Sequence, residues 1–153
     1  MKNFENASKI VNGFWYSFSY NPKTFNKDVD KFPFIYCIGP SLKSLNNFVG
    51  LNLHHIPLKV RFELIYKFQK FYNFMNVDRR YIITREQLET LVPGIGIAIR
   101  EYDKRHILDA YRIINKAVPL YLKSNGILIQ ASEDNAAIKW LEDSGFYKTE
   151  EQK

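Results

Sequence analysis

The stretch Gly50-Leu51-Asn52-Leu53-His54-His55-Ile56-Pro57 is where the chain changes character. Leu51, Leu53 and the ring of His55 recur every second residue, the period of a strand with one buried face. Pro57 stops such a strand and suits the first turn of a following helix. The sequence thus predicts a strand over 48–55 and a helix from Leu58 onward.

Upstream, the pattern is that of a sheet. From Gly13 to Tyr20, Phe14, Tyr16, Phe18 and Tyr20 fall on one side, with Trp15, Ser17 and Ser19 on the other. Asn21-Pro22-Lys23 is a turn, and the polar residues to 31 form a loop. Phe34 to Ile38 is a compact strand between Pro33 and Gly39-Pro40, followed by a loop or short helical turn over 41–47. Residues 1–12 carry no strong pattern and read as an arm or short helix.

Downstream, the period lengthens. Leu58, Phe62, Ile65, Phe68, Tyr72 and Met75 recur at steps of three and four, and Val60, Leu64, Phe71 and Phe74 form a second stripe. Such a helix is covered on two sides, by its own domain or by a neighbour. Thr84-Arg85-Glu86-Gln87 has capping-box spacing and opens a short helix ending near Leu91. Ile99, Tyr102, His106, Ala110, Ile113 and Ala117 predict a long amphipathic helix over 97–118, ended by Pro119. A strand over 126–131 and a helix from Asp134 to Asp143, with Gly145 at its end, close the chain.

These elements predict one α+β domain over residues 1–153. A small antiparallel sheet or partial barrel (13–56) would carry packed helices (58–118), and a C-terminal βα unit (126–146) would complete it. A chain of 153 residues can bury a real core. The lone Cys37 forms no internal disulfide, which with no secretory signal points to synthesis in a reducing cytoplasm. No apolar run reaches the roughly eighteen residues of a membrane helix, so no membrane partner is expected.

The net charge is +6, unevenly spread. Residues 132–153 hold three lysines against six acidic residues, so the remainder is strongly basic. Such a body suits a polyanion such as DNA, or is a lysine-rich solvated surface. Arg79, Arg80, Arg105 and Arg112, interleaved with Tyr102 and Tyr111, are the candidate phosphate contacts. The helix 58–75 and the strand 13–20 offer more apolar surface than one small domain covers, which makes Trp15, Phe62, Phe71 and Phe74 the candidate partner interface.

No catalytic centre is assembled by spacing. His54 and His55 would point to opposite faces of a strand and cannot jointly chelate, His106 reads as a core or boundary residue, and Cys37 as an inert buried thiol. Pro93-Gly94-Ile95-Gly96 lacks the preceding strand and the Lys-Ser/Thr of a phosphate loop. No metal and no cofactor are expected.

Two resemblances add to this reading. Tyr16-Ser17-Phe18-Ser19-Tyr20-Asn21-Pro22-Lys23, then Phe32-Pro33-Phe34, then Gly50 to Pro57 with Arg61, then Arg100-Glu101-Tyr102, resemble in order a family of small proteins of tailed (T4-type and related) bacteriophages. That resemblance implies a virion or assembly component of the tail, baseplate, neck or DNA end. It further implies other virion proteins, a second copy or DNA as partners, and no catalytic residue. The chain departs from the family at Asn26-Lys27-Asp28-Val29-Asp30 and at His55, where the family has Tyr.

The second resemblance covers only Asn135 to Phe146, which is similar to the closing helix-turn of the N-acetyltransferase superfamily. The loop that cradles the pyrophosphate of acyl-coenzyme A is missing. Three functions are therefore open: a virion structural protein, an acetyl-coenzyme A-dependent acyltransferase or degenerate relative, and a non-specific nucleic-acid-binding accessory protein. The first is favoured, with the virion as the location.

Overall fold

The computed structural model describes residues 4–21 and 31–122. Six strands form one open antiparallel sheet: β1 (Phe4–Asn6), β2 (Trp15–Tyr20), β3 (Phe34–Pro40), β4 (Asn47–Asn52), β5 (Ile99–Asp103) and β6 (Ile107–Ile113). The strand order is β1-β6-β2-β3-β4-β5. Three helices accompany it: α1 (Leu58–Tyr72), α2 (Arg85–Leu91) and α3 (Val118–Tyr121). The α+β class holds, and the sheet draws on more of the chain than residues 13–56.

The connection from β5 to β6 fixes the shape of the sheet. The two strands lie four places apart, yet only the 3-10 turn Lys104–His106 joins them. In a flat sheet, three steps of about 4.8 Å would hold β2 and β5 about 14 Å apart. Instead, the Phe18 and Tyr20 rings lie 5.5 and 5.3 Å from that of Tyr102. The Asp103 N–H also donates to the Tyr20 hydroxyl at 3.0 Å. The sheet is therefore curled without closing.

Curling gives the sheet two buried faces. Tyr16, Phe18, Ile35, Cys37, Phe48 and Tyr102 fill the inside. Gly50 fits closely there: a Cβ would stand 3.0 Å from the Ile35 methyl and 3.4 Å from the Tyr102 ring, so these neighbours would have to shift by a few tenths of an ångström. Burial pushes the Cys37 thiol up to about 12, out of the reactive range. On the outside, Trp15, Phe34, Tyr36 and Leu51 meet Leu64, Ile65 and Phe68 of α1, with Leu88 and Tyr121 from the shorter helices. The alternation within 14–20 is thus borne out, but both of its faces are covered.

Local chemistry sets the helix boundaries. Pro57 stands just before α1, and Asn73 ends it in the left-handed region at φ 54. The chain then turns back, so Phe74 and Met75 enter the core from beyond the helix rather than continuing its stripes. Thr84 makes the expected capping box with Gln87 and opens α2.

Several expectations are corrected. The third strand ends at Asn52, and Leu53–His55 is a 3-10 turn, because the Asn52 side chain accepts from the His54 N–H and closes the chain on itself. Phe4–Asn6 is a strand, held by β6. The helix expected over 97–118 is instead β5, a turn and β6. Asp103 accepts from the Arg105 N–H and breaks the segment in two. Pro119 lies in the first turn of α3 rather than ending a longer helix. The expected βα unit over 126–146 lies outside the described residues. Among the described residues, no helix is long and apolar enough to cross a membrane.

Candidate functional site

The stretch 50–61 builds scaffold. Leu51 and Leu53 are wholly buried, and the Asn52 amide donates to the Tyr102 hydroxyl at 2.9 Å. Arg61 spreads its guanidinium over three carbonyls: Ile56 and Leu122 at 2.7 Å and His54 at 3.2 Å. It thereby ties the 3-10 turn, α1 and the end of α3 together. The residues that carry the phage resemblance in this stretch are fold-making ones.

The four candidate phosphate contacts divide. Arg112 donates to Asp78 at 2.8 and 2.7 Å and to Glu5 at 2.7 Å, lies over the Phe14 ring, and keeps 12% of its side chain exposed. It is a structural clamp, and the expectation that it is exposed is corrected. Arg105 is exposed but grips Asp103 with both its Nε and Nη2. Arg80 donates to the Asn12 carbonyl and side chain, beside Gly13, whose carbonyl accepts from the Tyr81 N–H. Arg79 lies over the Tyr81 ring at 4.9 Å and has no carboxylate partner among the described residues. Arg79 and Arg80 are therefore the exposed members of the set with no carboxylate partner among the described residues, and Arg100 to Arg112 is not a helical stripe.

Asp78 anchors the segment between α1 and α2, since it also accepts from the Asn115 N–H at 3.2 Å. Hydrogen bonds from Arg112 hold its carboxyl below the usual range despite partial burial. A depressed folded-state value stabilises the fold above the ordinary pKa of about 4, and that contribution fades as pH falls through the depressed value. Asp78→Asn should melt below the parent protein at pH 7, and the gap should narrow as pH falls through the depressed value. Thermal melts across that range check this; a gap that does not change with pH would remove the pair from the account.

The aromatic candidates also divide. Trp15 and Phe74 are 2% and 1% exposed and belong to the core, because the curled sheet and the returning chain cover both. Phe62 is half-buried, and Phe71, 62% exposed, faces outward from α1. The most exposed apolar side chains are ones the aromatic count passed over. Leu42 and Leu45, at the tip of the β3–β4 hairpin, are 103% and 98% exposed. Their signal was present in the sequence: leucines inside a polar loop between strands have no core to join.

A groove of about 530 Å³ opens where the chain between β1 and β2 leaves β6. Its wall includes Ile10, Ile107 and Leu108, and Lys9 and Lys104 line it too. Neither lysine forms an ion pair among the described residues. His106 lies beside Asp103, with Nε2 3.9 Å from the carboxylate, and against the Tyr20 ring. Among the described residues, no three His, Cys, Asp or Glu side chains are grouped to hold a metal ion. The acyltransferase-like segment 135–146 lies outside them.

No family model matches the chain, and no curated protein or solved structure matches it.

Proposed function

We propose that this chain is a structural or assembly component of a tailed-bacteriophage virion, working by contact with other virion proteins. The observation that carries the binding part is the exposed pair Leu42 and Leu45 on a short, anchored hairpin. The Ser41 hydroxyl donates to Glu101, and the Asn47 carbonyl accepts from the Ser41 N–H, so the tip is held in place while its leucines face water. Neighbouring large apolar side chains left exposed together can mark a contact site. The virion part rests on the ordered resemblance through residues 16–61 and 100–102.

DNA contact is the finer part of the proposal and falls to Arg79 and Arg80. It would be contact with phosphate and therefore steeply salt-dependent.

Mass spectrometry of gradient-purified particles, washed in high salt and treated with nuclease, tests the reading. Peptides of this chain are expected at a level comparable to other minor structural proteins. Their absence from particles, with the protein abundant in infected cells, would retire the virion assignment.

A further inference from the structure

One end of the curled sheet gathers features that the fold itself does not use. The hairpin tip with Leu42 and Leu45 abuts the β5–β6 turn, where the Lys104 N–H donates to the Asn46 carbonyl at 2.8 Å. Lys104 in turn lines the groove, with Lys9 and the exposed Leu108. Lys104 thus belongs both to the turn that meets the tip and to the wall of the groove.

Among the described residues, the groove's two lysines are uncompensated. Elsewhere in the same region cations have partners: Arg105 is held by Asp103, and Lys43 stands 3.9 Å from Glu101. Lys9 and Lys104 have none among the described residues, and no acidic side chain lines the groove. Apolar groups that want cover and ammonium groups that want an anion lie side by side.

The shape narrows the occupant. Duplex DNA would satisfy the lysines and leave the leucines in water. An anionic bilayer would satisfy both, but a flat surface cannot fill a recess. A polypeptide can lay apolar side chains into the groove and over the tip while its carboxylates reach the lysines. We propose that this end of the sheet docks a segment of a partner protein whose apolar side chains are flanked by Asp or Glu. The proposal deepens the assembly reading and rests on it for the partner's presence in the particle.

Fluorescence anisotropy on the full chain tests it with three labelled twelve-residue probes: alternating Glu-Leu, alternating Glu-Ser and alternating Lys-Leu. The Glu-Leu probe should bind at least about tenfold more tightly than the other two. Leu42→Ser with Leu45→Ser should weaken it at least about tenfold, as should Lys9→Glu with Lys104→Glu. These side chains are exposed, so the melting curves should stay unchanged; Lys9→Gln with Lys104→Gln serves if the charge reversal unfolds the protein. Equal binding of Glu-Ser would reduce the surface to bulk charge, and equal binding of Lys-Leu to bulk stickiness. Absent binding, or binding unmoved by the variants, overturns the proposal. So does capture by phosphatidylserine vesicles that depends on Leu42 and Leu45 when no probe binds. The virion reading fails separately: particles without the protein would leave probe binding standing, and particles with it would not rescue an inert surface.

Discussion

Trp15→Ala is expected to cost about 4 kcal/mol of stability, the range for emptying a buried aromatic site. The indole is enclosed by the rings of Tyr36, Phe68, Phe74 and Phe34, with centroids 5.0, 5.4, 5.8 and 6.0 Å away. These come from β3, α1 and the chain just after α1, so the indole joins sheet to helices. Removing it loses the transfer term and opens a cavity that four rings from three separate segments cannot all relax into. With ordinary domains stable by roughly 5–15 kcal/mol, the variant should sit near its unfolding threshold. Urea melts followed by circular dichroism give the number. Phe71→Ser on the exposed side of α1 is the control and should stay within about 0.5 kcal/mol of the parent. If the two variants exchanged places, Trp15 would be a surface residue and the packing described above would be wrong.

That contrast shows what could be seen in the sequence. Period two in 14–20 and the apolar run 34–38 were legible as strands, and steps of three and four in 58–72 as a helix. The capping box at Thr84 placed α2 without any tertiary information, because both of its hydrogen bonds are local. What alternation does not report is whether the second face of a strand is also covered. Trp15 faces the helices and Tyr16 the inside of the curl, and both are buried. Trp15 read as a candidate partner contact because the alternation does not show that the face opposite the aromatic one is covered by helices.

The segment 97–118 misled for a related reason. Ile99, Tyr102, His106, Ala110, Ile113 and Ala117 fit helical spacing, but β5 has five residues and β6 seven, too few to impose a period of two against chance. The deciding residue is Asp103, whose carboxylate organises the turn and draws in Arg105. The basic residues raised the same difficulty. A positive charge is visible in sequence, but its partner is not: Arg112 finds Glu5 and Asp78, separated from it by 107 and 34 positions. Leu42 and Leu45 were the opposite case, since polar neighbours on every side already told of their exposure.

Arg61→Ala should be the most damaging single change at a polar residue, at about 3 kcal/mol. The guanidinium is partly buried and makes charge-assisted bonds to the carbonyls of His54, Ile56 and Leu122. Two of those carbonyls belong to the passage out of β4, where the ladder has ended and the backbone needs partners. The third lies at the end of α3, where helix carbonyls have no partner within the helix. Alanine leaves all three to find water at a packed junction. Arg61→Lys keeps the charge but not the planar fork, so one ammonium cannot serve three acceptors set apart, and most of the loss should persist. Hydrogen exchange separates this from a general loss of stability. The amide of Ile56, bonded to the Leu53 carbonyl at 3.1 Å, should exchange faster in both variants under conditions where amides of β2 and β3 remain protected. Full rescue by lysine would mean that charge alone matters at this position, and the three-carbonyl clamp would have to be given up.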